Sequence, residues 1–289
     1  MSLAMIGKPM AKSDKRSRPS LYVSLAGAWV ILMLLTALFA DHLSPFTVTG
    51  IDLSHRLVPP VGLGGSLIHP LGTDELGRDV ASRLMHSVQI SLLVAFGATI
   101  ISICFGTIVG FMAAHFRGPV EQIILMLIDV QASLPFLIVA LSILAFFGNT
   151  LALFIGLMGL YNWERNARLA RALAISANAQ GYAGAVRQLG AHPIRIYFRH
   201  ILPNTAATLT VTATLSFPEI VLAESGLSFL GLGVQPPLTS LGIMVSYGRE
   251  YIATAPWLVI APSLVIVVTT LSISIIGDWL RDTLDPTLR

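Results

Sequence analysis

Charged residues are scarce in this chain. Of its 289 residues only 11% are Asp, Glu, Lys or Arg, while 54% are hydrophobic. A soluble domain carries about 25% charge, so composition excludes an ordinary water-soluble globular protein and points to the membrane class. Cysteine is nearly absent too. The single Cys104 lies inside an apolar run, which excludes an internal disulfide and leaves the redox compartment unread. The net charge of +3 is small, no nucleic-acid partner is expected from it, and its distribution says more than its sum.

Motifs for chemistry are missing as well. The seven histidines are His42, His55, His69, His86, His115, His192 and His200, and none falls in the middle of an apolar run. There is no H-E-x-x-H, no G-x-S-x-G and no Cys/His ligand spacing, so neither a metal site nor a membrane hydrolase is indicated. A G-x-x-x-x-G-K-[ST] loop is absent, so this chain is not expected to cradle a nucleotide phosphate itself. Asp74, Glu75 and Asp79 crowd together without EF-hand spacing, which reads as acidic residues in the first turn of a helix.

What is present is a series of apolar runs, at about 21–40, 88–114, 120–147, 151–163, 205–223 and 257–280. The first follows a basic tail carrying Lys8, Lys12, Lys15, Arg16 and Arg18. Its 20 residues can cross roughly 30 Å of hydrocarbon, whereas a signal-peptide core has about 7–15, so an uncleaved first span is expected. The fourth run is the weakest. It contains Gly156 and Gly159, ends in Asn162, Glu164 and Arg165, and reaches spanning length only if it begins at Gly148 or Asn149. Six spans are expected, with five as the alternative.

Basic residues favour six. With the N-terminus inside, the inner segments hold the five basic residues of the tail, Arg117, then Arg165, Arg168, Arg171, Arg187, Arg195 and Arg199, and finally Arg281 and Arg289. Only Arg56, Arg78, Arg83 and Arg249 fall outside. Five spans would put the last two basic segments on the wrong side. The expected organisation is an inner tail at 1–20, a span at 21–40, an outer loop at 41–87, a core at 88–280 with an inner loop at 164–203, and an inner tail at 281–289. A second outer segment covers 226–256. Both outer segments are expected to hold short interfacial helices.

Three acids lie in or beside apolar runs: Asp129, Glu219 and Glu224. Carboxylates at membrane depth are costly and face a cavity or a partner. A proton or cation path is one reading. Structural hydrogen bonding, or a place near a span end, is the other. Glu219 follows Pro218, whose ring frees a backbone carbonyl that neighbours must satisfy.

The inner loop carries the sharpest pattern. Tyr182, Ala185, Val186 and Leu189 recur at helical spacing, and Gly190 suits a helix stop because it tolerates positive φ. Pro193 can open a second helix. On it Ile194, Tyr197/Phe198 and Ile201 form an apolar stripe, Arg195 and Arg199 share another face, and Pro203 marks the turn into the next span. Two short helices bent at Gly190-Ala191-His192-Pro193 can present an apolar knob to a cytoplasmic protein. An amphipathic hairpin lying on anionic lipid fits the pattern equally well.

A resemblance separates these readings. Residues 182–204, YAGAVRQLGAHPIRIYFRHILPN, resemble the EAA loop of permease subunits of ABC importers. Gly190, Ile201, Leu202 and Pro203 match that pattern in kind and spacing, while Gly184 stands where the family has Glu and Val186 where it has Ala. Residues 69–96, 224–252 and 277–289 are similar, in the same order, to segments of dipeptide, oligopeptide and nickel permeases. The chain resembles the second, shorter permease of such a pair.

This resemblance implies an all-α membrane protein with a type I importer fold and a cytoplasmic coupling helix. It implies a prokaryotic plasma membrane, bacterial or archaeal, with both termini cytoplasmic. The implied partners are a second permease, two ATPase subunits that bind ATP and magnesium, and an extracytoplasmic solute-binding protein, with lipid around the spans. The chain itself would hold no cofactor and catalyse nothing. Arg187, Leu189, Gly190, Ala191, His192, Pro193, Ile194, Arg195, Phe198, Arg199, Leu202 and Pro203 would form the ATPase-coupling surface. Leu189, Ala191, Pro193 and Ile194 would be its apolar knob, with the arginines at the rim or against lipid headgroups. The solute implied is a peptide, with nickel or metal-chelate and opine-like solutes as alternatives. A secondary transporter with a lipid-binding loop is the mechanistic alternative.

Overall fold

The computed structural model describes residues 20–180, 186 and 188–284. Among them the regular structure is helical, apart from one bridge between Thr73 and Asp79. The basic tail with Lys8, Lys12, Lys15, Arg16 and Arg18 lies outside the described residues, as do residues 285–289.

Four helical stretches are long and apolar enough to cross a membrane: Leu21–Leu43, Val80–Phe116, Pro193–Phe229 and Trp257–Leu284. The first two are α1 and α2. Helix α2 starts well before the expected residue 88 because Asp79 caps it, its carboxylate accepting the Ser82 N–H at 2.7 Å. The first turn of α2 itself contains no acidic residue, so the acidic cluster precedes the helix instead of opening it.

The expected span at 120–147 is two helices, α3 (Gly118–Ser133) and α4 (Phe136–Phe147), bent by 92°. Pro135 is the cause. It forces Leu134 into extended backbone (φ −88°, ψ 129°) and ends α3. Counted as one crossing, this pair makes five.

The fourth expected run, 151–163, is not a single spanning helix. Helix α5 (Leu151–Gly159) has nine residues, about 14 Å of rise. After a break at Leu160–Asn162, helix α6 (Trp163–Ala179) carries Glu164, Arg165, Arg168 and Arg171. Together α5 and α6 lie along α2 and run in its direction: Gly97 faces Ile155, Gly106 faces Asn166 and Gly110 faces Ala170. What looked like the start of a loop is therefore a polar helix that continues α5 along α2, so the broken pair carries the chain back along the bundle and supplies the sixth pass.

Downstream, α7 (Pro193–Ile196) passes through a π turn, Tyr197–Ile201, into α8 (Leu202–Phe229). The short α9 (Leu241–Gly248) and the long α10 (Trp257–Leu284) complete the chain. Helix α1 packs on α2 and α10, with Trp29 Nε1 donating to Thr269 Oγ1 at 3.0 Å. Helix α8 packs between α2 and α10. The buried core joins Val94 and Ala98 of α2 to Phe154 and Met158 of α5 and Ile220 and Leu227 of α8.

Residues 44–79 cover the N-terminal ends of α2 and α10. They contain two 3-10 turns, at Leu53–His55 and Val61–Leu63. Phe46 N–H donates to Ser82 Oγ at 3.3 Å, and Trp257 Nε1 donates to the Thr73 carbonyl at 3.3 Å.

The contact of α2 with α6 depends on small residues. A Cβ at Gly106 would lie 2.6 Å from Asn166 Cβ and 2.7 Å from the Trp163 carbonyl. Gly106→Leu is therefore expected to pry the helices apart, at about 1–3 kcal/mol of overpacking strain or more. The thermal unfolding midpoint of the detergent-purified protein should fall by several degrees, and an unchanged midpoint would contradict this packing.

Candidate functional site

The bend around residue 190 is built by its backbone. Ala191 N–H bonds to the Val186 carbonyl at 3.3 Å, closing six residues around Gly190, whose φ is +78°. This is a Schellman stop, in which the left-handed position favours glycine. A Cβ on Gly190 would meet nothing within 4 Å, so the requirement is conformational and not one of space. His192 is extended, and Pro193 occupies the first turn of α7, where its missing N–H costs nothing.

One side of the segment that follows is buried. Ile196, Tyr197 and Ile201, at 2%, 8% and 0% exposure, pack on Ala114 of α2 and on Ala174 and Ala177 of α6. The Tyr197 ring lies 5.3 Å from Phe111 and 5.6 Å from His115, and its hydroxyl accepts from Asn178 Nδ2 at 3.4 Å. Other apolar side chains of the segment are open: Leu189 is 85% exposed, Ile194 63% and Phe198 63%, Phe198 also lining an apolar groove with Cys104 and Thr107 of α2 and Ala206 of α8. His192, Pro193, Arg195 and Arg199 are exposed beside them.

The expected stripe of Ile194, Tyr197/Phe198 and Ile201 is thus divided between two faces. Steps of about 100° along the helix set Ile194 and Phe198 at one edge of the stripe and Tyr197 and Ile201 at the other, next to Ile196. A π turn follows, in which Leu202 N–H bonds to the Tyr197 carbonyl, an i→i−5 bond. Ile196, which the helical spacing missed, points inward, and Ala191 packs towards the buried cluster instead of joining the knob. Leu202 is half-buried. Pro203 does not mark a turn, because the helical stretch continues from Pro193 to Phe229. The widened turn just ahead of Pro203 makes room for its ring. Arg187, Tyr182, Gly184 and Ala185 lie outside the described residues.

The acids singled out in or beside the apolar runs have partners. Arg165 Nη1 bonds both Glu219 oxygens at 2.9 and 3.0 Å, and Asn162 Nδ2 donates to Glu219 at 3.1 Å. Arg168 pairs with Asp129 at 3.0 Å, and Arg171 with Glu121. Three arginines spaced by three residues on α6 thus meet acids on α8 and α3. Only the arginine half of this pattern was visible as a run, since the pairing spans 39 to 54 residues.

Glu224 differs: it is fully buried. Its carboxylate accepts from Ser228 Oγ at 2.7 Å, Ser91 Oγ at 3.1 Å and Ser225 Oγ at 3.4 Å. Ser91 Oγ in turn accepts the Leu241 N–H at 3.1 Å, tying the start of α9 to α2. Ser228, at i+4 from Glu224, was legible in the sequence, but Ser91 was not. Among the described residues no group of three or more His, Cys, Asp or Glu is placed to hold a metal ion. The arrangement is suited to mechanical contact.

Residues 106–289 match the family of binding-protein-dependent transport system inner membrane components. The di/tripeptide transport system permease protein DppC of Pseudomonas aeruginosa is 38% identical over 90% of this chain and 86% of its own length. The dipeptide permease protein DppC of Bacillus subtilis is 35% identical over 92% and 82%, and the glutathione transport system permease protein GsiD of Pectobacterium atrosepticum 33% over 91% and 86%. A solved structure of the MetNI methionine ABC transporter in inward-facing conformations matches with a TM-score of 0.58, over 70% of this chain and 96% of that one. At 18% identity it shows the fold, that of a type I importer permease. The chain belongs to the family of inner-membrane components of binding-protein-dependent transport systems. It is a permease subunit of an ABC importer, and ATP hydrolysis falls to separate subunits.

Within this fold the Glu224 cluster is a test of internal packing. Glu224→Leu strands the hydroxyls of Ser91 and Ser228, a loss of about 1–3 kcal/mol. Glu224→Gln keeps an acceptor for one hydroxyl and sets an amide donor opposite the other, whose oxygen can accept from it, and is expected to be milder. Thermal unfolding of the two purified variants checks the order, and a Leu variant as stable as the parent protein would contradict it.

Proposed function

We propose that this chain forms half of the translocation pathway of an importer for peptides or related small solutes, and that residues 189–199 dock on an ATPase subunit. The observation that carries this reading is a knob of exposed apolar side chains, Leu189, Ile194 and Phe198, set on a fully packed base of Ile196, Tyr197 and Ile201. Large apolar side chains left exposed on both sides of a bend are the composition of a surface that binds a partner. The packed base passes any displacement of that patch into α2, α6 and α8.

In this reading the partner set is a second permease, two ATPase subunits and an external solute-binding protein. The knob faces the cytoplasm, as do both termini, and the 44–79 cover faces the external binding protein. The distribution of Lys and Arg supports that orientation. Closure of the ATPase pair on ATP pushes the knob, and hydrolysis allows its return. Arg195 and Arg199 stand at the rim, where they meet acidic groups of the ATPase or lipid headgroups. Glu219 and Asp129, held by arginines, and Glu224, held by hydroxyls, act as structural ties. Peptide cargo is favoured by the names of the relatives, DppC among them. A metal chelate or opine-like solute is the alternative, read from the identity of what the binding protein carries.

Charging the knob separates docking from folding. Leu189→Glu with Ile194→Glu alters only exposed positions. The double variant is expected to insert and unfold like the parent protein, yet to lose ATP-driven uptake in proteoliposomes by an order of magnitude or more. Ile196→Ala should behave oppositely, lowering stability by about 2–5 kcal/mol through a cavity under Tyr197. Normal uptake by the double variant, or crosslinks from position 189 that reach only lipid, would overturn the docking role.

A further inference from the structure

The arginine–acid pairs of α6 lie at a depth where charge is costly. Asn166 Nδ2 donates to Ser102 Oγ of α2 at 2.9 Å, and Gly110 of α2 faces Ala170 and Arg171. Arg165, Arg168 and Arg171 therefore stand beside residues 102–110, inside the apolar run of α2 at 88–114. Yet the first two pairs are open. The side chains of Arg165, Arg168 and Asp129 are 60%, 48% and 74% exposed.

The rest of this face is small or polar. Arg165, Arg168, Ala172, Ser176 and Ala179 follow one another at helical spacing, and all five are exposed. None of the large apolar side chains of α6 is exposed. Helices α1, α2 and α3 do the reverse, with Leu32, Ile100 and Leu127 open. Charged groups at membrane depth turn from hydrocarbon to the bundle interior or to a water-filled cavity. Cover by a second permease is costly too, because it strips water from pairs that are already complete within this chain. An aqueous lining leaves them hydrated.

We propose that this face of α6, with Asp129 of α3 and Glu219 of α8 beside it, is the chain's wall of the aqueous pathway, and that the solute crosses along it. Charges that are paired hold neither terminus of a peptide tightly, which suits passage over retention. This inference rests on the reading of the chain as a peptide importer and names the face that the peptide meets.

Ala132 tests it. It is exposed, one turn beyond Asp129, and follows Gln131, whose side chain reaches the Leu160 carbonyl at the break before α6. Ala132→Cys in a Cys104→Ser background is placed, as the assembled permease–ATPase complex, in lipid nanodiscs and treated with a charged, membrane-impermeant thiosulfonate. Labelling is expected to be an order of magnitude faster than that of Leu32→Cys on α1. In proteoliposomes the adduct is expected to lower ATP-driven dipeptide uptake by the same variant by an order of magnitude. A cysteine at 132 that reacts as slowly as one at 32 shows the face covered by lipid or by the second permease and overturns the wall. Fast labelling that leaves uptake unchanged overturns passage of the solute along it. In both cases dipeptide uptake by the Cys104→Ser complex upholds the importer reading. A Cys104→Ser complex without dipeptide uptake, whose cysteine at 132 still reacts fast, overturns the peptide reading and leaves the aqueous wall.

Discussion

The burial of Ile196, Tyr197 and Ile201 against Ala114, Ala174 and Ala177 is the contact on which the rest of the molecule's behaviour depends. A short exposed segment transmits force only if its base is fixed. Alanine on the receiving helices lets the backbones come close enough for the three large side chains to be enclosed. The aromatic contacts of Tyr197 with Phe111 and His115, and its bond to Asn178, then hold one face of the segment inward. The apolar side chains of the opposite face are left outward as a consequence. Exposure of Leu189, Ile194 and Phe198 is thus set by the same geometry that buries their neighbours.

The ionic contacts of α6 serve a related end. Arginine in an apolar bundle is costly unless paired. Arg165, Arg168 and Arg171 each find an acid, on α8 or α3. Two of these pairs are substantially exposed and contribute little to stability. Their value is positional: a rotation of α6 breaks all three at once. Glu224 fixes a different junction, where α2, α8 and the start of α9 meet through hydroxyl groups. Both arrangements hold helices in register without a reactive group.

Long apolar runs were legible because hydropathy is a local property. The spans read at 21–40 and 257–280 became helices Leu21–Leu43 and Trp257–Leu284. Gly190 and Pro193 were legible because each acts through its own backbone. The bend at Pro135 was signalled by the proline, but the apolar composition on both sides concealed it. Helix α6 was read as loop because its arginines looked solvated, and their acids lie dozens of residues away in sequence. Ile196 was missed for a different reason: which edge of the stripe turns inward is set by Ala114, Ala174 and Ala177, which lie on other helices. The Arg83–Asp74 contact was hidden similarly, since Asp74 read as part of a helix start and Arg83 only as one of the outer basic residues.

Helix α2 joins the two ends of this description. It has 37 residues and no proline, a rise of about 55 Å. Helices α8 and α10 each contain an internal proline, Pro218 and Pro262, where bending is least costly. Asp79 and Arg83 stand at the start of α2, and Phe111, Ala114 and His115, which receive Tyr197, stand near its end. The outer cover and the exposed segment are therefore joined by one unbroken helix. Under the proposed docking role a rigid shift of α2 would move both ends together, whereas bending at Pro218 or Pro262 would absorb motion elsewhere in the bundle. The stiff element would then carry the motion, and the kinked helices the change of shape around it.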